Sequence, residues 1–197
     1  MGKNLIDKLN EGPVLCAEGY LFAMERRGYL QAGAFVPEVV LEHPEVVSQL
    51  HREFIRSGSD VIQAFTYYGH REKLRIIGKE HLLEPLQKNA LQIAKDSREE
   101  FKDLDLMVCG DVANTNVWDP NDNKTDLECQ KMFEEQVAWA KEAGVDFVIA
   151  ETITWLGEMK IALKAIKDAG LIAVCNFSIK QDNKTRDGYT PGDACKI

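Results

Sequence analysis

Residues 44–68, PEVVSQLHREFIRSGSDVIQAFTYY, decide the fold. A helix starts after Pro44, and within Pro44 to Ser57 the residues Val47, Leu50 and Phe54 share one face. Ser57-Gly58-Ser59-Asp60 stops the helix, since glycine takes the left-handed conformation at little steric cost. A buried apolar run at 61–65 follows, and Phe65, Tyr67 and Tyr68 crowd its end. Helix, glycine stop and buried strand make one beat of a parallel sheet covered by helices. In a parallel barrel, the C-terminal ends of the strands carry the chemistry.

The beat recurs at Ala143-Gly144 and Ala169-Gly170, and the runs 13–17, 106–112, 147–150 and 171–176 read as further strands. Between them, residues 82–101 place Leu86, Ala90, Ile93 and Ala94 on one helical face. Thr125 and Glu128 read as a capping box before a helix that points Phe133, Val137 and Ala140 inward, and Ala162, Ala165, Ile166 and Ala169 line another. The polar stretches 118–125 and 179–191 both follow strands, which places them on the functional face.

Five such strands allow a doubly wound sheet or the front of an eight-stranded barrel. The former normally carries a glycine-rich phosphate loop after its first strand, and Ala17-Glu18-Gly19-Tyr20 is not one. The expected fold is therefore α/β, a (β/α)8 TIM barrel of which about the first five βα units are present, in a single domain over residues 1–197. A barrel at this strand spacing closes at on the order of 300 residues. The end at 194–197 falls one turn into a helical pattern, so the domain reads as truncated, with open sheet edges and an uncovered inner face.

Composition excludes several classes. The 197 residues are 45% hydrophobic and 28% charged, enough for a substantial core. A net charge of −8, with basic residues scattered among acids, argues against nucleic-acid binding. Neither a signal peptide nor an apolar run of membrane-spanning length is legible, which makes a cytoplasmic protein the expectation. The cysteines, Cys16, Cys109, Cys129, Cys175 and Cys195, are widely spaced and encode neither a disulfide framework nor a zinc knuckle. Cys16, Cys109 and Cys175 lie in apolar runs, where a thiol acts as a small buried hydrophobe.

Residues 17–29 (AEGYLFAMERRGY), Glu42-His43-Pro44-Glu45 with Gln49-Leu50-His51-Arg52-Glu53-Phe54, Gln63-Ala64-Phe65-Thr66-Tyr67-Tyr68, and Phe147-Val148-Ile149-Ala150-Glu151 together resemble the homocysteine S-methyltransferase family, nearest its betaine–homocysteine branch. The resemblance implies a zinc-dependent barrel that moves a methyl group from an onium donor, betaine-like or sulfonium, onto homocysteine to give methionine. It implies small-molecule substrates and leaves oligomerisation open. The family's zinc is held by cysteines after the sixth and eighth strands, so no metal ligand and no catalytic residue is carried over onto this chain.

Substrate-binding positions are carried over. Glu151 matches the carboxylate that binds the homocysteine ammonium, and Gly19 a loop glycine that lets backbone approach substrate. Many members have Asp-Gly where this chain has Ala17-Glu18, and Glu18 stands as the substitute acid one position later. Tyr67 and Tyr68 match aromatic donor-pocket positions, and Phe35 stands where betaine-using enzymes have tryptophan. Trp118 and Trp155 read as packing under loops, and His51 and His70 as structurally satisfied, since nothing pairs either histidine into a base–orienter arrangement. The competing expectation is a half-barrel without catalysis that binds a ligand or pairs with another subunit.

Overall fold

The computed structural model describes residues 3–30 and 37–197. In chain order the elements are α1 (Leu5–Glu11), α2 (Tyr20–Arg26), α3 (Val39–Glu42), α4 (Pro44–Arg56), β1 (Val61–Gln63), α5 (Arg71–Ile76), α6 (Leu83–Glu99), β2 (Met107–Ala113), α7 (Lys124–Ala143), β3 (Phe147–Ile153), α8 (Leu156–Asp168), β4 (Ile172–Phe177) and α9 (Pro191–Ala194). The strands form one parallel sheet in the order β1-β2-β3-β4. Gly58, Gly144 and Gly170 follow α4, α7 and α8 at φ 98°, 74° and 78°, the conformation that makes glycine the helix stop.

Strand alternation sorts the side chains into two faces. Ile62, Val108, Val148 and Ala150 pack outward beneath the helices, with Phe133, Val137, Ala162 and Ile166. Gly110 lies on this outer face, and a Cβ there would stand 3.0 Å from that of Ala140, so its absence lets α7 close on β2. Val61, Met107, Cys109, Phe147 and Ile149 form the inner face, joined at its floor by Leu5 of α1.

Several expectations need correction. The run 13–17 makes only an isolated parallel bridge, Cys16 with Val61, although Asp60 N and Val61 N donate to Leu15 O at 2.8 and 3.1 Å and Ala17 N to Val61 O at 3.0 Å. This segment flanks β1 through that single bridge. The observed sheet therefore has four strands where five were expected. At the open edge, Cys175 and Asn176 of β4 are exposed.

Thr125 does not cap α7. The helix begins two residues earlier than such a cap implies, with Asn123 at its N-cap, and the Thr125 hydroxyl instead bonds to Asp122 O at 2.7 Å and accepts from Asp119 N at 3.0 Å, closing the preceding turn. A hydroxyl can serve a loop as readily as a helix end. Of the three cysteines expected to be buried, only Cys109 is, because Cys16 sits on the lone bridge and Cys175 on the open strand.

Loops on the C-terminal side tie the elements together. The α8 N-terminus lacks a cap from its own N-cap residue, Trp155, and Asp187 supplies one from the loop after β4, accepting from Leu156 N at 3.0 Å and Gly157 N at 3.2 Å. Trp118 lies flat against Gly157, 5.4 Å from the Trp155 ring, and its Nε1 donates to Asp126 at 2.7 Å. Both indoles pack under loops.

Candidate functional site

A cavity of about 280 Å³ opens at the C-terminal ends of β1 and β3, lined by Glu18, Gly19, Tyr20, Leu21, Phe22, Gln63, Phe65, Tyr67, Glu151 and Thr152. Among the described residues no lysine, arginine or histidine lines it, and its carboxyls are those of Glu18 and Glu151. Such a cavity suits a ligand that presents a cation.

Each wall has a local cause. Gly19 begins α2 at φ 84°, which turns the backbone from the segment beside β1 into the helix and sets Tyr20 against the cavity. Tyr20 is buried, with its ring 5.5 Å from Phe65 in a stacked arrangement and its hydroxyl 2.9 Å from His51 Nδ1. Tyr68, beyond β1, and Thr152, the penultimate residue of β3, stand at φ 58° and 56°. Non-glycine residues there cost about 1–3 kcal/mol each and persist where their surroundings over-determine them, as at ligand sites.

The floor continues the inner face upward. Cys109 pairs in register with Gln63 on one side and Phe147 on the other, and Asp111 with Ile149. Asp111 lies two residues beyond Cys109, and Glu151 two beyond Ile149, so both carboxyls share the inner face with Gln63. Gln63 Nε2 donates to Glu151 Oε1 at 3.2 Å. Burial raises the Glu151 carboxyl above its ordinary range and the charge of Glu18 raises it further, while the Gln63 hydrogen bond draws it down. Burial likewise holds Asp111 well above the usual carboxylate range, helped by the negative charge of Glu151.

Of the residues singled out from sequence, Glu18, Gly19, Tyr67 and Glu151 line this one cavity. Tyr68 stands beside it, its ring 4.3 Å from that of Tyr67, with Lys73 Nζ 4.3 Å from the Tyr68 ring centroid. Phe35 lies outside the described residues. His51 and His70 are both buried, and burial lowers their pKa values to about 3 and about 4, so both are neutral at pH 7. His70 accepts from Lys73 N at 3.4 Å as the N-cap of α5. Asp111 was not singled out, although a carboxylate inside the apolar run 106–112 was a signal that could have found it.

The donor set does not suit zinc. Among the described residues no group of three His, Cys, Asp or Glu side chains could hold a metal ion. Cys109, beneath the cavity, is a buried thiol whose burial disfavours the thiolate that zinc requires.

Comparison with known proteins adds three findings. The sequence model described as Homocysteine S-methyltransferase matches residues 16–197. Betaine–homocysteine S-methyltransferase 1 of Sus scrofa is 34% identical over 195 residues, a match covering 96% of this chain and 68% of that protein. The Bos taurus protein of the same name is 34% identical over 196 residues, covering 97% of this chain and 47% of the relative. The chain thus spans about half the length of most curated relatives that it matches. In structure it is similar to the metallated form of the homocysteine methyltransferase MmuM from Escherichia coli, with TM-score 0.80 and 18% identity over 96% of this chain and 71% of that one. At that identity the likeness speaks for the fold.

Proposed function

This chain belongs to the homocysteine S-methyltransferase family, and from that premise we propose that its cavity recognises the substrates of methyl transfer from an onium donor to homocysteine. The observation that carries the reading is a cavity with carboxyl and aromatic walls and, among the described residues, no cationic side chain, at the strand ends where a parallel barrel binds substrate. Its sheet corresponds to the front part of a (β/α)8 barrel, with the 13–17 segment in the place of the first strand.

Glu151 accepts the homocysteine ammonium in a charge-assisted hydrogen bond, and Glu18 adds negative charge at the rim. Gly19 leaves room for close backbone approach. Tyr67, with Tyr68 behind it, faces the donor, whose positive methyl-bearing group is drawn to ring faces by about 0.5–2 kcal/mol per contact, and Phe35 is assigned to the donor by resemblance alone. Zinc in this family would make the homocysteine thiolate available at neutral pH. The described residues do not form its site, so the residues of this chain are assigned binding and orientation, and none is assigned to catalysis. Cys16, Cys109, Cys129, Cys175 and Cys195 are all free thiols, which accords with a reducing cytoplasm.

Calorimetric titration of the 197-residue chain with homocysteine tests this reading. Binding that weakens at least tenfold in Glu151→Gln is expected, and equal affinity in the two proteins would overturn the assignment. A second reading, binding without turnover, is favoured by the absence of a metal-holding group among the described residues. A methionine-formation assay with glycine betaine and added zinc separates the two.

A further inference from the structure

The cavity floor has more acceptors than donors. Both oxygens of Asp111 and Oε1 of Gln63 are buried without a hydrogen-bond partner, while the Gln63 amide group donates to Glu151. Asp111 is 3% exposed and does not itself line the cavity; on β2 it sits one inner-face position below Glu151 of β3, since Asp111 pairs with Ile149 and Ala113 with Glu151. Two ionised carboxylates cannot bond to each other, and an unpaired buried charge is strongly disfavoured. One proton resolves both problems, because it turns Asp111 into a donor and leaves Glu151 as the charged acceptor.

Resting on the assignment of this cavity to an amino-acid ammonium, we infer that Asp111 is the positioning residue of that subsite: it retains a proton and donates it to Glu151, holding that carboxylate ionised and turned toward the incoming amine. The neighbours leave the role to Asp111. Around the pair stand Glu151 on β3, Glu18 before α2, Cys109 on β2, Cys16 beside β1, the Tyr20 phenol on α2 and the Tyr67 phenol after β1. All of them are acids or thiols, and none is a cation that could ionise Asp111 by pairing with it. Gln63 gives one amide hydrogen to Glu151 and, being neutral, cannot pair with an ionised Asp111 as a cation would. Burial of Asp111 and the negative charge of Glu151 favour its neutral form, with Gln63 drawing the other way, and a proton shared from Asp111 lowers the pKa of Glu151.

The test is a carboxyl-carbon NMR titration of the ligand-free, full 197-residue chain. The Asp111 resonance is assigned by its loss in Asp111→Asn, and that of Glu151 by its loss in Glu151→Gln. The Asp111 carboxyl is expected to stay protonated through pH 7. Asparagine still donates to Glu151, so the Glu151 midpoint holds in Asp111→Asn; in Asp111→Val, which donates nothing, it rises by about one pH unit, a tenfold weaker acid. A purely structural role would not separate the two variants. An ionised Asp111 at pH 7, or equal Glu151 midpoints in the two variants, would overturn the inference. Because no ligand is present, the titration stands apart from the homocysteine experiment: the expected NMR pattern with no homocysteine binding would keep the proton-sharing pair and sink the ammonium assignment.

Discussion

Thr115 donates both its backbone N–H and its hydroxyl to one oxygen of Glu158, at 2.7 and 2.6 Å. Both residues are buried, and the pair ties the loop after β2 to the first turn of α8, beside the strand end that carries Glu151. Two donors on one carboxylate oxygen make it a strong local clamp.

Burial raises the Glu158 pKa from the ordinary 4.5, against the two Thr115 hydrogen bonds. A raised native pKa means that the folded protein keeps a proton which the unfolded chain has released, so this residue's contribution declines as pH rises from 4.5 through the native value. Glu158→Gln retains an acceptor and cannot titrate, so its stability is expected to vary less with pH over that window. Glu158→Ala leaves the buried Thr115 N–H unpaired and loses about 1–3 kcal/mol. Urea unfolding over a pH series measures both.

His51 titrates in the opposite sense. Its native pKa of about 3 lies below the ordinary 6.5, so the unfolded chain takes up a proton first and stability falls as pH drops from 6.5 toward 3. His51→Asn keeps an acceptor for the Tyr20 hydroxyl and removes that proton uptake. A smaller loss of stability between pH 6.5 and 4 is expected, read by denaturant unfolding, and an unchanged acid slope would contradict it.

Gly157→Ala places a methyl group where the Trp118 ring already sits, 2.4 Å from the nearest ring carbon. The indole is anchored by Asp126 and packs on Trp155 at an interplanar angle of 59°, so it cannot move freely. Overpacking of this kind costs about 1–3 kcal/mol. A lower melting temperature with altered tryptophan fluorescence is expected.

Tyr67→Leu keeps apolar bulk on the cavity wall and removes the ring face. With glycine betaine as the probe, about a 3- to 30-fold weaker dissociation constant is expected from the loss of one cation–π contact. Equal binding by Tyr67→Leu would place the donor elsewhere.

The covered half of the fold was legible because its cause is local. Val47, Leu50, Ala90, Phe133 and Ile166 announce helix faces through their spacing, and Gly58, Gly144 and Gly170 mark the stops through a conformation that glycine adopts most easily. Where two local outcomes competed, the pattern misled. The Thr125 hydroxyl had a loop partner three residues back as well as a helix end, and the 13–17 run had strand composition but only one bridge's worth of pairing.

By itself, the sequence determined the βα rhythm, the family likeness, and the residue types at the strand ends, Glu18, Gly19, Tyr67 and Glu151 among them. Only the tertiary structure decided which of these share a cavity, and that Asp111 lies under Glu151. Strand register does that work: residues 63, 111 and 151 are far apart along the chain, and parallel pairing brings their side chains onto one inner face. Burial then acts on the carboxyls thus gathered, and it sets their charge in a way that no residue's identity states alone.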